Sequence, residues 1–512
     1  MHSDFIQMRS IVKVFQPATV ALDGVSVDIN QGEIHSVIGE NGAGKSTLMK
    51  VLYGMVAPDS GEIYFKGQKV NFSSPRDAVK AGIGMIHQEF MLIPSYTIWE
   101  NVVLGAEPAN RLGRLESKEA RAQVQALVDE YDLGLSIDER VADVSVGARQ
   151  KVEILKLLYR DIDTLIMDEP TAVLTPQEIR ELFRWVSQAK AAGRTIIFIS
   201  HKLAEVLEIS DRITVMRRGK TITTVENKGL DKSFLARAMV GRDVVFSVSK
   251  PPQEPGQTIL AAENLHYTDA DGQKKLDGVS LKVRRGEIVG LAGVEGNGQF
   301  ELVQALVGLI QPQQGSIKLK GQEIVPLPIS KRRELMSYVP QDRKSWGSAQ
   351  PLSLQENVIM THHMTNTALQ GRLRWMLSRR KTRQLANTIK EEFEVVVPNI
   401  DVPFFALSGG NQQRAIVGRE FMLDNDLVIL DQPTRGLDVA SIEYIQERTL
   451  QKRADGQGIL LISTDLDELF SLSDRILVMY RGQIVADLRP EETSPEEIGE
   501  YMLLGAKGGD NE

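Results

Sequence analysis

The stretch "GEIHSVIGENGAGKSTLMKVLYG", residues 32–54, decides the fold. Its apolar run "EIHSVI" reads as a strand, and "STLMKVLYG" carries apolar residues at helical spacing. Between them Gly39-Glu40-Asn41-Gly42-Ala43-Gly44-Lys45-Ser46, followed by Thr47, fits G-x-x-x-x-G-K-[ST]. A chance glycine-rich turn does not bring strand, helix and Lys-Ser together in that order. Glycines let backbone N–H groups turn inward around phosphate oxygens, and the helix N-terminus adds partial positive charge. Lys45 is placed to reach the β- and γ-phosphates of a nucleotide, and Ser46 to ligate Mg2+ through its hydroxyl.

The frame recurs at 286–308, "GEIVGLAGVEGNGQFELVQALVG", with Gln299-Phe300-Glu301 replacing Lys-Ser-Thr. A shift of 254 residues aligns 22–68 with 276–322 without a gap, and twenty of those 47 positions are identical. The repeat continues through "MIHQEF" and "YVPQDR", "VSVGARQ" and "LSGGNQQ", "LIMDEPT" and "VILDQPT", "FISHKLAEV" and "LISTDLDEL". A period near 250 residues means two whole domains, not a solenoid. Each copy alternates short β-rich runs with helical stretches, which predicts an α/β domain with a largely parallel sheet. The proline-rich "VSKPPQEPGQT" predicts a short, stiff linker. Domains are placed at 1–245 and 256–505, the linker at 246–255 and a polar tail at 506–512. The second copy has an extra piece within "THHMTNTALQGRLRWMLSRRKTR", predicted to be helical.

Composition is that of ordinary soluble globular protein, with 42% hydrophobic and 25% charged residues. With 60 Lys+Arg against 68 Asp+Glu, the net charge of −8 argues against a nucleic-acid coat. Cysteine is absent, so neither a disulfide framework nor a thiolate zinc site is possible. The N-terminus lacks a signal-peptide core, and no run approaches the ~18 apolar residues of a membrane span. Short runs such as "GILLIST" and "DTLIMDE" suit buried parallel strands, and any membrane role is expected to come through a partner. The basic clusters "SKRREL" and "SRRKTR" read as solvated helix faces, and His362-His363 as exposed polar residues.

Downstream of the first loop, "DTLIMDEP" ends a strand in two carboxylates. Asp168 is expected on the Mg2+ side, and Glu169 to accept a proton from an attacking water. His201 follows "TIIFIS" at another strand end, placed to contact a γ-phosphate. Gln88 in "MIHQEF" is expected beside the metal and the water. These motifs in this order resemble the ATP-binding cassette (ABC) ATPase family. Residues 407–413, "LSGGNQQ", match the family's signature, and Phe15 matches its adenine-stacking aromatic. The guanine motif N-K-x-D of nucleotide switches is absent. The resemblance covers both halves and implies two tandem P-loop domains, each with a mixed, largely parallel core sheet and a helical subdomain. It also implies ATP and Mg2+ as ligands.

In the family two cassettes pack head to tail, each ATP lying between one loop and the other cassette's signature. The defects sort accordingly. Cross-pairing assembles Gly39–Ser46, Gln88, Asp168, Glu169 and His201 with Ser408, Gly409, Gly410 and Asp438. The other site receives Gln299, Phe300, Gln432 and Thr464, with Val144-Ser145-Val146-Gly147 as signature and Thr175 in place of Asp438. Gly293, Gly296 and Gly298 still provide a loop there, with Gln341 and Asp431 in their usual places. Pairing within each copy would instead leave two damaged sites. One hydrolytic and one degenerate site are expected.

A tandem chain with one degenerate half looks like the ATP-binding subunit of a bacterial importer of the ribose and galactose branch. "VSVGARQKVEILKLLYR" and "DQPTRGLDVASIEYI" look closest to nucleoside importers fed by lipoprotein receptors. The resemblance implies two polytopic permease subunits, an indirect solute-binding lipoprotein partner, no nucleic acid, and a peripheral place on the cytoplasmic face of the membrane. Ribosome-acting tandem cassettes, the alternative, usually carry a long charged linker and two sound sites.

Overall fold

The computed structural model describes residues 4–15, 19–87, 90–109, 115–171, 174–200, 202–241, 250–363, 369 and 376–506. The chain divides into two compact units, Met1–Val244 and Val245–Glu512.

In the first unit the runs of Val, Ile and Leu form a six-stranded sheet. Its order is Lys220–Glu226, Arg212–Arg217, Ile34–Gly39, Thr195–Ile199, Thr164–Asp168, Ile83–Ile86. All neighbours pair parallel except the edge strand Lys220–Glu226. Ile34–Gly39, Thr164–Asp168 and Thr195–Ile199 are buried at every residue, as expected for parallel strands covered on both faces. A four-stranded antiparallel sheet, ordered Thr19–Asn30, Asp4–Phe15, Ser60–Phe65, Gln68–Val70, sandwiches the helix Lys45–Leu52 through one core. On the opposite side a second core joins the parallel sheet to the helices Ile98–Val103, Ser117–Glu130 and Val146–Tyr159.

The second unit repeats this plan. Its six-stranded sheet runs Met336–Val339, Leu427–Asp431, Gly458–Ile462, Ile288–Ala292, Arg475–Tyr480, Gln483–Leu488. The register is also repeated: Asp168 pairs with Ile199 as Asp431 pairs with Ile462. Val37 pairs with Ile199 as Leu291 pairs with Ile462. Each carboxylate therefore ends a strand one position removed from its loop strand, at the carboxyl edge where ligands of parallel sheets bind.

Of the extra piece, the end from Arg379 is helical, in Arg379–Glu392, and residues 364–368 and 370–375 lie outside the described set. Two expectations change. His362 is buried, not exposed, and desolvation beside Arg419 and Arg333 lowers it to about 4 despite the opposing pull of Glu420. "SKRREL" is not a solvated face either. Arg332 is 2% exposed and its guanidinium donates to the carbonyls of Ala305, Leu306, Val325 and Leu327, while Arg333 pairs with buried Glu420. Charge alone misread them, because a long side chain with enough acceptors can be buried. The stretch after Lys250 also packs on its unit: Pro251 O accepts from Arg453 Nη1 at 2.9 Å.

Candidate active site

In the first unit the strand Ile34–Gly39 stops where glycines begin, and the helix Lys45–Leu52 starts from Gly44. Gly44 sits at φ 100°, with the carbonyl of Ala21 only 2.5 Å from where a Cβ would stand, so no other residue fits. The turn is closed by Ala43 N donating to Glu40 O at 3.0 Å. Lys45, 5% exposed, folds its ammonium back onto the loop, donating to Gly39 O at 2.7 Å and Glu40 O at 3.1 Å. Burial lowers its pKa, and Glu169, Asp168 and Glu40 oppose this, so both strand-end carboxylates face the ammonium.

Ser46 Oγ donates to Asp168 Oδ1 at 3.1 Å. Two hard oxygen donors from different elements thus meet at the spacing a shared Mg2+ requires, and the residues fit the ion. Burial raises the Asp168 pKa and Glu169 adds to this, while the Ser46 hydroxyl and Lys45 oppose. An added cation relieves that cost. Glu169 follows with φ 50°, a left-handed conformation rare outside glycine, and its N–H donates to Ile199 O at 2.9 Å. Such backbone strain concentrates at functional sites. Phe15 ends its strand 40% exposed, with Lys13 Nζ 5.7 Å from its ring centroid. Thr47 lies in the first turn of the loop helix. Gln88 and His201, both expected at this site, lie outside the described residues.

The second unit keeps the backbone and changes the chemistry. Gly298 has φ 109° against the carbonyl of Lys275, and Asn297 N closes the turn to Val294 O at 3.1 Å. Gln299 Nε2 donates to Val294 O at 3.2 Å, bracing the loop as Lys45 does but without its charge. Phe300 stands at the Ser46 position, exposed, in edge contact with Trp346 at 5.9 Å. Gln432 retains φ 51° and its N–H donates to Ile462 O at 2.8 Å, so the strained turn survives the loss of the glutamate. Its Oε1 accepts from Thr464 N and Oγ1 at 3.3 and 3.2 Å. Gln341 presents its backbone to Asp431.

The signature residues gather at helix starts. Ser408 caps Gly409–Phe421, its Oγ accepting from Asn411 N at 3.4 Å; Ser145 caps Val146–Tyr159 in the same way through Ala148 N at 3.2 Å. A Cβ on Gly410 would lie 2.7 Å from Ser441 Oγ and 3.1 Å from Asp438 Oδ2, so the signature abuts the next helix. Asp438 caps that helix through Ser441 N at 2.8 Å, and Thr175 caps its counterpart in the first unit. Gly147 packs likewise against Glu178. Two residues escaped the sequence reading. The Arg343 guanidinium lies against Gly409 and donates to Arg435 O at 3.3 Å. The Tyr338 hydroxyl lies within reach of the Asp431 carboxyl. Both stand in the aligned "YVPQDR", opposite Phe90 and Met85 of "MIHQEF", and that mismatch was the signal available.

The ABC transporter family profile matches residues 22–172 and 276–435. The chain is 43% identical to a nucleoside import ATP-binding protein of Lactococcus lactis, over 98% of each chain. It is equally similar, at 43% over 97% of each, to a guanosine import ATP-binding protein of Bacillus subtilis. A ribose import ATP-binding protein of Yersinia pestis is 37% identical over 96% of this chain and 95% of that one. Among solved structures, an archaeal ribosome recycling factor in complex with a ribosomal stalk protein covers 94% of the chain at TM-score 0.62 and 19% identity, a likeness of fold alone. No helix among the described residues is long and apolar enough to cross a membrane.

Proposed function

The chain belongs to the ABC transporter family, and we propose that it is the ATP-hydrolysing subunit of an importer with one working ATP site composed from both units. The observation that carries this is the sorting of parts. The unit with Lys45, Ser46, Asp168 and Glu169 around one loop has the altered signature, and the unit with Gln299, Phe300 and Gln432 has the intact one.

At the working site the loop N–H groups and Lys45 bind the phosphates, and Phe15 stacks on adenine. Ser46 and Asp168, with Gln88, would hold Mg2+, which would supply positive charge against the phosphates. Glu169 takes the proton of the attacking water, His201 holds the γ-phosphate, and Ser408, Gly409, Gly410 and Asp438 complete the enclosure. Phosphoryl transfer depends chiefly on positioning and electrostatics, so Gln299 and Gln432 are poor substitutes at the other site. ATP binding shifts the units toward a closed state, and hydrolysis releases it.

The subunit lies peripherally on the cytoplasmic face of the membrane, held by two polytopic permease subunits that a solute-binding lipoprotein supplies. The solute is a nucleoside or simple sugar. The names of full-length relatives support this class over a ribosomal role. The test is Glu169→Gln in the complete complex. Turnover falls by about 10²–10⁴, the worth of a positioned general base, while labelled ATP stays bound. Turnover equal to the parent's refutes the assignment, and uptake of labelled nucleosides against sugars identifies the solute.

A further inference from the structure

We infer that the second unit is closed to divalent metal, so that the chain carries one Mg2+ site, and any nucleotide on the second loop sits there without the ion. This rests on the reading of Ser46 and Asp168, with Gln88, as the metal ligands of the first unit. There a hydroxyl and a carboxylate meet at 3.1 Å, with a buried ammonium beside them. The second unit keeps the aspartate, and Gln341 at the position of Gln88, but changes both the hydroxyl and the ammonium. Phe300 supplies no oxygen, and its ring turns edge-on to Trp346. Gln299 supplies no charge and spends its amide on Val294 O.

Asp431 itself is 3% exposed, and its Oδ2 makes no hydrogen bond. An orphaned carboxyl oxygen has two explanations: a cation binds it, or it carries a proton. The surroundings decide between them. The Tyr338 hydroxyl, at the position of Met85 in the first unit, and the Gln341 backbone face the carboxyl, with Arg435 nearby, and no hydroxyl stands at the Ser46 position. Burial outweighs these three and pushes Asp431 up to about 7, against a usual value of 3.8. Mg2+ dehydrates reluctantly and demands anionic or hard oxygen ligands in octahedral array. A half-neutral carboxyl facing a phenol, with a phenylalanine in place of the hydroxyl ligand, does not meet that demand.

The second loop also lacks help from elsewhere. Glu301 stands in the first turn of the helix Gln299–Val307, where the first unit has no acid, and opposes an anion at that N-terminus. The strand end matching Phe15 offers Asp269, whose Oδ1 is engaged by Asp271 N and Gln273 N.

The experiment counts Mn2+ bound to the full chain by electron paramagnetic resonance, with the non-hydrolysable AMP-PNP in excess. One Mn2+ per chain is expected, lost in Asp168→Asn and retained in Asp431→Asn. The combined variant Gln299→Lys, Phe300→Ser, Tyr338→Met, which imports the first unit's residues, is expected to raise the count to two. Two metals on the parent, or loss of one in Asp431→Asn, overturns the inference. Failure of the first-unit assignment shows separately, as a count unmoved by Asp168→Asn.

Discussion

Replacing Asp431 by asparagine tests how the second unit holds its buried carboxyl. In the unfolded chain the group ionises near 3.8, and in the folded unit near 7, because burial penalises the charge by more than the Gln341 backbone, the Tyr338 hydroxyl and Arg435 offset. Below pH 4 both states hold the proton and nothing is lost. Between pH 4 and 7 the unfolded chain releases it and the folded unit does not, so stability falls by about 1.4 kcal/mol per pH unit. Above pH 7 both are ionised and the loss levels off, at about 4 kcal/mol in all. Asparagine has no such dependence. Its amide leaves Nδ2 unpartnered where Oδ2 now stands, which costs about 1–3 kcal/mol at every pH. The observable is therefore the change with pH, not the absolute stability. From pH 5 to pH 8 the variant gains about 3 kcal/mol on the parent. With a urea slope of about 2 kcal/mol per molar, the midpoint difference moves by about 1.5 M. Urea titrations followed by tryptophan fluorescence, parent and variant side by side, read this directly. Other titrating groups are shared and cancel in the difference. Parallel behaviour of the two proteins across that range refutes the account of Asp431.

Two other predictions address the site and its support. Gln432→Glu placed in the Glu169→Gln background restores no hydrolysis, because Gln299 and Phe300 still deny the second loop its cation and its metal; phosphate release above the single variant's level contradicts this. Arg332→Ala strips the donors from carbonyls of Ala305 and Leu306, at the end of the second loop helix, and of Val325 and Leu327. It destabilises the second unit by about 3 kcal/mol, and a melting temperature within a degree of the parent's rules it out.

Local sequence determined a good deal of this protein. The runs "EIHSVI", "DTLIMDE" and "GILLIST" became the strands Ile34–Gly39, Thr164–Asp168 and Gly458–Ile462, since a short apolar run between charges has only a covered sheet to enter. The loop glycines were legible because left-handed backbone leaves few alternatives, and the repeat was legible because two copies invite comparison. The departures in the second copy could be sorted before any coordinate was known.

What tertiary structure decided was the company each polar group keeps. His362, Arg332 and Arg333 look like surface residues in sequence, yet His362 and Arg332 are buried and Arg333 is half-buried, Arg332 held by backbone carbonyls and Arg333 by Glu420. Tyr338 is an ordinary strand residue until the register of Met336–Val339 against Leu427–Asp431 sets it near Asp431. Sequence names the residues that changed. Only the fold shows that Gln299 still braces its loop, that Gln432 and Thr464 satisfy each other, and that Asp431 is left with a buried oxygen to account for. Hydrogen-bond partners and desolvation depend on distances between segments up to hundreds of residues apart, and local pattern does not encode those distances.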